Sequence, residues 1–454
     1  MHLIPRAFRQ LSGLFLVAVL TGCGSMPHIR NTPITEMKPV THHQATTDHK
    51  QQHSSDLALF LAFSGGGTRA AAFSYGVLEE LRDTRFMVNG EESRLLDQID
   101  GIASVSGGSF TAAYYGLYGD RIFEDYEEVF LRRNVQKTLV ASLFNPVNWI
   151  RSLFTGLNRT EMAINYYDKH IFRGSTFADL AAAGGPALQI NATDLSIGGR
   201  FSFNQEQFNL LCSDLDTFSV ARAVAASSAV PIAFSPITLE NFSSCNYADH
   251  PLMNIQIAPA EDSARRYMLF ESATSYADKD RRPYIHLVDG GISDNLGIRT
   301  AYDRVQGAGG ALKFINRSGS VPKNIAFILV NAETDPANPM DRSASPPSST
   351  EVLGAVTNTQ IARYNIETRT LMEESVRIWM EDFSSQQLDI NIFLIYLDFD
   401  SIMDMDRRRY FNSMATSFSL PNEEVDSLIT AGHELLQDSP EFQAFVSAIG
   451  QEGQ

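Results

Sequence analysis

Short apolar runs, separated by polar and glycine-rich segments, recur along most of this chain. The seven apolar residues 57–63 have the length and character of a strand that is buried on both faces of a parallel sheet. The same pattern predicts five more strands, at residues 99–105, 188–192, 284–288, 325–330 and 390–397.

Apolar residues at helical spacing follow several of these strands. Ala70, Phe73, Val77 and Leu81 lie on one face of a helix and predict one over residues 70–81. Because strands alternate with such stretches, we expect an α/β fold with a mostly parallel central sheet and helices packed on it. Further helices are predicted at residues 107–118, 220–228, 351–381, 423–436 and 442–449.

Composition and net charge limit the kinds of molecule that the chain is expected to bind. The chain of 454 residues has 44 % hydrophobic residues and a formal charge of −17. That charge argues against nucleic acid, because such binding relies on clustered Lys and Arg, but it does not exclude a lipid surface. The sequence also lacks the His-Glu-x-x-His, EF-hand and paired-cysteine patterns of metal sites, so we expect a site without metal or cofactor.

The first residues have the pattern of an export signal. Arg6 and Arg9 precede the apolar residues 11–20, a stretch too short to span a bilayer as a stable anchor. Leu-Thr-Gly-Cys at residues 20–23 resembles the bacterial lipobox, which implies cleavage before Cys23 and lipidation there. An ordinary signal peptide with a chance cysteine is the alternative. Because no Asp follows the cysteine, the lipoprotein sorting rule implies the outer membrane of a Gram-negative cell envelope, facing the periplasm.

Residues 23–55 are rich in Thr, His, Gln, Ser and Pro, and they predict a flexible tether. Two cysteines remain beyond Cys23. In an exported protein, Cys212 and Cys245 predict a disulfide that closes a loop of about 33 residues. Two unpaired buried thiols are the alternative, but the polar neighbours of both cysteines favour the disulfide.

The first chemical motif centres on Ser106. Residues 102–109, Ile-Ala-Ser-Val-Ser-Gly-Gly-Ser, predict a strand end, a sharp turn and a helix start. This arrangement holds a serine at the tip of the turn and presents its hydroxyl as a nucleophile. No histidine lies in this motif or in the two described next, so we expect a serine hydrolase without the usual histidine base.

A glycine loop follows the first predicted strand. Backbone N–H groups in such a loop can point outward and stabilise an oxyanion, while Arg69 can fix the loop or meet an anionic group. A dinucleotide loop is the alternative, with Ala70 in the last glycine position and Glu91 as the acid; the Walker A pattern is absent. The loop glycines are Gly65, Gly66 and Gly67.

The third motif is Asp289, which ends an apolar strand before two glycines. Parallel sheets place groups that face a ligand at such strand ends. An aspartate is a weak base in water, but a partly dry pocket can raise its pKa. His286 lies three residues earlier, on the opposite face of the strand, and is interpreted as a core histidine. His433 follows Asp289 but lies in a C-terminal helix.

In this order the motifs resemble the patatin-like phospholipase family. The resemblance covers about residues 57–302 and departs from the family's usual glycines at Ser104 and Ala70. The matching segments are residues 63–69, 105–109 and 288–291, with 191–194 and 225–231 between them.

The resemblance implies a fold of three layers, α/β/α, and a lipid acyl hydrolase. Ser106 would be the nucleophile, Asp289 the base and the loop amides the oxyanion hole, with an acyl-enzyme as intermediate. The implied partner is a membrane lipid or lipid ester. A Ser-His-Asp esterase, a non-catalytic envelope lipoprotein that keeps a hydrolase fold, and a dinucleotide-binding protein remain as alternatives.

The chain then divides into four segments. We expect a lipoprotein signal peptide at residues 1–22, the tether at 23–55, a hydrolase core at 56–334 and a helical C-terminal extension at 335–454 that packs on the core. Residues 147–154 combine large apolar side chains with one arginine, which is typical of an interfacial lid and equally of a packing helix.

Overall fold

A mixed sheet of eight strands forms the centre of the described molecule. The computed structural model describes residues 29–40, 53–88, 90–135, 159–231, 233–248, 250, 253, 264–318, 321–334, 340 and 343–451. The predicted signal peptide, Cys23 and residues 147–154 lie outside these ranges. The strands, β1 to β8 in chain order, are Leu57–Phe63, Ile99–Val105, Ala187–Asp194, Gly199–Phe203, Ile237–Glu240, Tyr284–Val288, Asn324–Val330 and Asn391–Leu397.

The strand order is β8-β7-β1-β2-β3-β6-β5, and β4 pairs with β3. The pairings from β8 to β3 are parallel, whereas β4, β5 and β6 pair antiparallel. Because parallel strands share one direction, the loops after β1, β2 and β7 leave the same edge of the sheet. The mostly parallel α/β fold predicted from the sequence is confirmed.

Both faces of the sheet are covered, as strand β7 shows. Ala326, Ile328 and Val330 pack into a core on one face, and the residues between them pack into a second core on the other. All seven residues of β7 are buried. This double burial explains why a continuous apolar run marks the strand in the sequence.

The helices cover the two faces and the ends of the sheet. The six helices predicted from the sequence are present, with moderate shifts of their bounds. The α-helices, α1 to α15 in chain order, are Thr68–Asp83, Gly107–Tyr118, Ile122–Tyr126, Arg159–Tyr167, Phe177–Ala183, Gln205–Leu210, Val220–Ser227, Ala264–Ala277, Gly291–Asp294, Arg299–Ala308, Ala311–Ser318, Ser349–Ser385, Met405–Asn412, Asn422–Gln437 and Pro440–Gln451.

The C-terminal helices pack directly on the core. Helix α14 crosses α1 where each helix carries a glycine. A Cβ atom on Gly76 would lie 2.0 Å from the carbonyl oxygen of Ile429, and one on Gly432 would lie 2.3 Å from that of Phe73. The two backbones therefore touch, and a larger residue at either glycine would separate them.

Part of the predicted tether is docked on the domain, which corrects the prediction for residues 29–40. Thr32–Pro33 pairs antiparallel with Ser213–Asp214, and the Asn31 amide donates to the Ser213 hydroxyl at 2.7 Å. Lys38 forms an ion pair with Asp214 at 2.6 Å. These contacts are polar, so an analysis of hydrophobic patterning does not detect them.

Near this docked segment, Cys212 and Cys245 form a disulfide with a Cα–Cα distance of 5.4 Å. The bond joins the turn after helix α6 to the segment after strand β5. It therefore ties together two loops that also contact the docked N-terminal residues.

Candidate active site

Ser106 stands between the end of β2 and the start of α2, in a strained backbone conformation. Its φ is 47° and its ψ is −117°, in a region that residues with a side chain rarely adopt. The helix that follows leaves no room for larger neighbours: a Cβ atom on Gly108 would lie 2.7 Å from the carbonyl oxygen of Ser64. The structure thus contains the sharp elbow that the sequence predicts around this serine.

Ser227, at the end of α7, forms hydrogen bonds that hold the backbone of this elbow in place. Its hydroxyl accepts a hydrogen bond from the backbone N–H of Ser106 at 2.8 Å and donates one to the carbonyl oxygen of Asn191 at 2.6 Å. The hydroxyl of Ser109 lies 3.0 Å from it. Ser227 lies in one of the segments that resemble the family, but its role was not predicted from the sequence.

The two departures from the family pattern fit the structure. Ser104 lies within β2, fully buried, and it is not among the described residues with a positive φ. Its hydroxyl lies 3.4 Å from the carbonyl oxygen of Gln189. Ala70 lies in the first turn of α1, also buried. Neither position therefore needs the conformational freedom of glycine.

Asp289 directly follows β6 and faces the elbow. Its carboxylate lies close enough to the Ser106 side chain for that side chain to lower the pKa of Asp289, and the N–H of Gly291 donates to Oδ1 at 2.8 Å. The backbone of Asp289 is fixed by the Thr193 hydroxyl, which donates to its carbonyl oxygen at 2.8 Å. The structure therefore places the predicted nucleophile and the predicted base side by side on the wall of one cavity.

Burial changes the acidity of this carboxyl group. Desolvation raises the pKa of Asp289 from 3.8 to about 6, against the opposing effect of the hydrogen bonds from Gly291 and Ser106. A carboxylate with this pKa is a stronger base than a solvated aspartate and is still ionised at neutral pH.

The glycine loop lies beside Ser106 but does not use its three amides alike. The N–H of Gly65 already donates to the carbonyl oxygen of Asn295 at 3.1 Å, which corrects the prediction that it serves an oxyanion. Within the described chain, the N–H groups of Gly66 and Gly67 donate to no protein acceptor. Two loop amides thus remain to hold a negative oxygen.

Gly65 has a spatial role instead. A Cβ atom there would lie 2.5 Å from Oδ1 of Asn295 and 3.3 Å from the Cβ atom of Ser106. The absence of a side chain therefore lets the loop approach the nucleophile. Asn295, a buried residue that lines the same cavity, was not singled out from the sequence.

Arg69 lies on the cavity wall, and its hydrogen bonds fix the loop to the C-terminal part of the chain. Its guanidinium donates to the carbonyl oxygens of Ala332 at 2.8 Å and Met414 at 2.9 Å, and to the Thr416 hydroxyl at 3.0 Å. Burial lowers the pKa of Arg69 to about 10, so the group stays charged at neutral pH. Of the two roles considered from the sequence, the structural one accounts for these hydrogen bonds.

The described histidines lie away from Ser106. His286 is exposed, with Nδ1 3.0 Å from the Thr238 hydroxyl, so its interpretation as a core histidine is wrong because the outer face of β6 is open at this position. His433 forms an ion-pair contact with Glu80, at 2.9 Å. Among the described residues that line the cavity over Ser106, none is a histidine.

This cavity has a volume of about 1120 Å³, slightly above the range usual for small-ligand pockets. Ser106 and Asp289 lie on its wall together with the glycine loop. Much of the remaining wall comes from α12 and from residues 416–418 of the C-terminal extension. Apolar side chains in the lining include Met162, Val230, Phe234, Ile292, Ile361 and Phe418.

The family model for patatin-like phospholipases matches residues 61–302, which is more than half of the chain. The chain belongs to the patatin-like phospholipase family. The matched segment contains the glycine loop, the Ser106 elbow and Asp289, and membership supports a lipid hydrolase. No curated protein sequence matches the chain.

Solved structures that match the chain include human GIVD cytosolic phospholipase A2. That structure matches over 88 % of this chain with 10 % identity and a TM-score of 0.43, and 63 % of the human chain is covered. The human enzyme in complex with methyl gamma-linolenyl fluorophosphonate matches with 11 % identity and a TM-score of 0.42, over 88 % of this chain and 60 % of the human one. The match thus spans less than two thirds of the neighbour's length.

Two further properties concern the described residues alone. Their His, Cys, Asp and Glu side chains form no group of three that could hold a metal ion. Within the same residues, no helix is both long and apolar enough to cross a membrane.

Proposed function

We propose that the chain is a lipid acyl hydrolase, a serine carboxylic-ester hydrolase that uses Ser106 and Asp289 as a catalytic dyad. The observation that carries the proposal is the position of Ser106, at the tip of its elbow, beside a buried carboxylate whose pKa is raised to about 6. The pair lies on the wall of a large and partly apolar cavity, which suits an acyl chain. The described lining offers no histidine as a competing base.

The reaction would begin when Ser106 Oγ attacks the acyl carbonyl carbon and its proton passes to the Asp289 carboxylate. The carbonyl oxygen becomes an oxyanion and accepts hydrogen bonds from the N–H groups of Gly66 and Gly67. The N-terminus of helix α2 starts at the same serine, and its dipole favours the negative charge. The tetrahedral intermediate then collapses, and Asp289 returns the proton to the leaving alkoxide.

An acyl ester on Ser106 remains. Asp289, ionised again, removes a proton from a water molecule that attacks this ester, and a second tetrahedral intermediate forms. Its collapse releases the fatty acid, and the proton on Asp289 passes back to Ser106 Oγ. The dyad thus acts as base and acid in turn, and no third group is needed to balance the protons.

We also propose that the enzyme is anchored by lipid at Cys23 in the cell envelope of a Gram-negative bacterium, on the periplasmic side of the outer membrane. The lipobox-like residues 20–23 support this proposal. Metabolic labelling with palmitate tests it: incorporation should be lost in Cys23→Ser and kept in the wild type. Label that persists in Cys23→Ser would contradict the anchor.

An esterase assay tests the dyad. Ser106→Ala and Asp289→Asn should each abolish turnover, whereas His286→Gln and His433→Gln should leave it unchanged. Loss of activity in a histidine variant would favour a Ser-His-Asp esterase. A wild-type protein that neither turns over esters nor reacts at Ser106 with a fluorophosphonate would be a non-catalytic lipoprotein.

A further inference from the structure

Helix α12 is divided into an anchored part and an overhanging part. In the anchored part, residues 365–385, the side chains of Met372, Trp379 and Phe383 are buried in the second core described above. In the overhanging part, none of the described side chains at residues 349–364 is buried. The first turns of the helix therefore gain little stability from packing on the core.

This overhanging part forms a wall of the cavity over Ser106. Apart from Ile361, the uncharged residues of this part that line the cavity are small or polar, among them Gly354, Ala355, Asn358 and Ala362. The large apolar side chains of Val352, Leu353 and Val356 are instead 45 %, 45 % and 58 % exposed. A helix packed on a protein in water shows the reverse order, with its large apolar residues turned inward.

The charge pattern changes at the same point of the helix. Residues 352–362 contain no charged side chain, although 20 % of the chain is charged. The anchored part carries alternating acids and bases, with ion pairs such as Arg377–Glu374 at its surface. An exposed apolar surface without charges is unfavourable in water, so the overhanging part is suited to contact a partner.

We propose that this surface, formed by Val352, Leu353 and Val356, docks the enzyme on a lipid surface, a step that rests on the proposed lipid hydrolase function. Arg363 favours lipid as the occupant. It lies on the same stripe of the helix as Val352 and Val356, at the rim of the cavity, is exposed, and forms no ion pair with any described carboxylate. An arginine at the edge of an apolar patch can bind lipid phosphates while the patch enters the acyl region.

Position relative to the active site also favours lipid. The apolar residues alternate along the same helical turns with residues that line the cavity over Ser106. Exposed Val230, on the segment after α7, borders the cavity as well. A lipid layer against this surface would therefore bring its esters to the wall of the cavity without passage through bulk water.

An environment-sensitive fluorophore tests the contact directly. NBD is attached to Val356→Cys in the full chain carrying Cys23→Ser, because Cys212 and Cys245 are joined in the disulfide. Ile366→Cys is the matched control, since Ile366 is a 66 % exposed apolar residue of the same helix. When vesicles of phosphatidylethanolamine and phosphatidylglycerol are added, emission from the fluorophore at residue 356 should shift to the blue and rise about twofold or more. Brominated lipid should quench this emission. Emission from the fluorophore at residue 366 should not change.

Rates of ester hydrolysis provide a second test of the docking surface. The triple variant V352S/L353S/V356S should hydrolyse the same vesicles at least about tenfold more slowly than the wild type. Its rate on a monomeric soluble ester should stay within about twofold, which also shows that the variant is folded. The control I366S/I378S should keep both rates.

The outcomes separate this inference from the proposed function. If the wild type hydrolyses neither substrate, the proposed function fails while the fluorophore still reports docking. An equal response at residues 356 and 366, or no response at either, would overturn the docking surface. A shift at residue 356 that depends on protein concentration and needs no vesicles would assign the surface to a second copy of the chain instead.

Discussion

The backbone N–H of Ser106 donates a hydrogen bond to the hydroxyl of Ser227 at 2.8 Å. The two residues are 121 positions apart in the sequence. Their contact joins the elbow to the end of helix α7. Because Ser106 has a positive φ, its conformation is strained and must be held by its surroundings. We therefore expect Ser227 to act as a positioning residue for the proposed nucleophile.

Ser227→Ala should lower kcat about 10- to 100-fold on a soluble ester, because the buried N–H of Ser106 loses its acceptor and the elbow can relax. Ser228→Ala is the matched control. Ser228 is also buried and directly follows the same helix, but its hydroxyl donates to the carbonyl oxygen of Val224 at 2.8 Å. Equal losses of kcat in both variants, or none in Ser227→Ala, would remove the positioning role.

The pH profile should report the ionisation of Asp289. Its pKa is raised to about 6 by burial, and only the ionised carboxylate can accept the proton of Ser106. We therefore expect kcat/KM on a soluble ester to rise with pH through about 6 and to level off above it. His286→Gln and His433→Gln should give the same profile. A rate that stays flat from pH 5 to 7 would contradict this base.

The buried Asp289 carboxylate should also lower the free energy of unfolding at neutral pH. Its pKa is raised from 3.8 to about 6 on folding, so the folded state favours the protonated carboxyl group. The free energy of unfolding therefore falls as pH rises from 3.8 through about 6, because the unfolded chain loses this proton more readily. At pH 8, Asp289→Asn should raise the free energy of unfolding by about 1–3 kcal/mol, and near pH 4 this gain should shrink. Urea unfolding at both pH values measures it. An Asp289→Asn protein that is less stable at pH 8 would refute the assignment of a destabilising carboxylate.

The crossing of helices α1 and α14 gives a stability prediction. Gly76→Ala would place Cβ 2.0 Å from the carbonyl oxygen of Ile429, so the free energy of unfolding should fall by about 2 kcal/mol or more. Gly307→Ala is the control, because a Cβ on Gly307 meets no atom within 4 Å. That helical substitution should be neutral or stabilise by about 0.5–1 kcal/mol. Similar urea midpoints for the two variants would show that the glycine contact is not tight.

The parts predicted from the sequence are those encoded by neighbouring residues. The buried run of β1, the glycines of the loop and the small residues around Ser106 each belong to one short segment. The six strands marked by apolar runs lie where they were predicted, to within two residues. Strand β4 contains polar residues and β5 has only four residues, so neither shows a clear apolar run.

The parts that were missed depend on contacts between distant segments. Ser227 and Asn295 gain their roles from the packing of the loops around Ser106. The oxyanion role of Gly65 was wrong because its N–H is taken by a carbonyl group far along the chain. The docked residues 29–40 resemble a linker in composition, and their ion pairs and amide contacts depend on partners that a single sequence does not identify.

Arg69 has a consequence for the boundaries of the enzyme. The matched family segment ends at residue 302, yet the acceptors that hold Arg69 come from Ala332, Met414 and Thr416. Strand β1 likewise pairs on one side with β7, which also lies beyond that end. A fragment cut at residue 302 would leave an open sheet edge and a glycine loop without its clamp, so we expect it to aggregate. The unit that folds around the glycine loop therefore extends beyond the family domain.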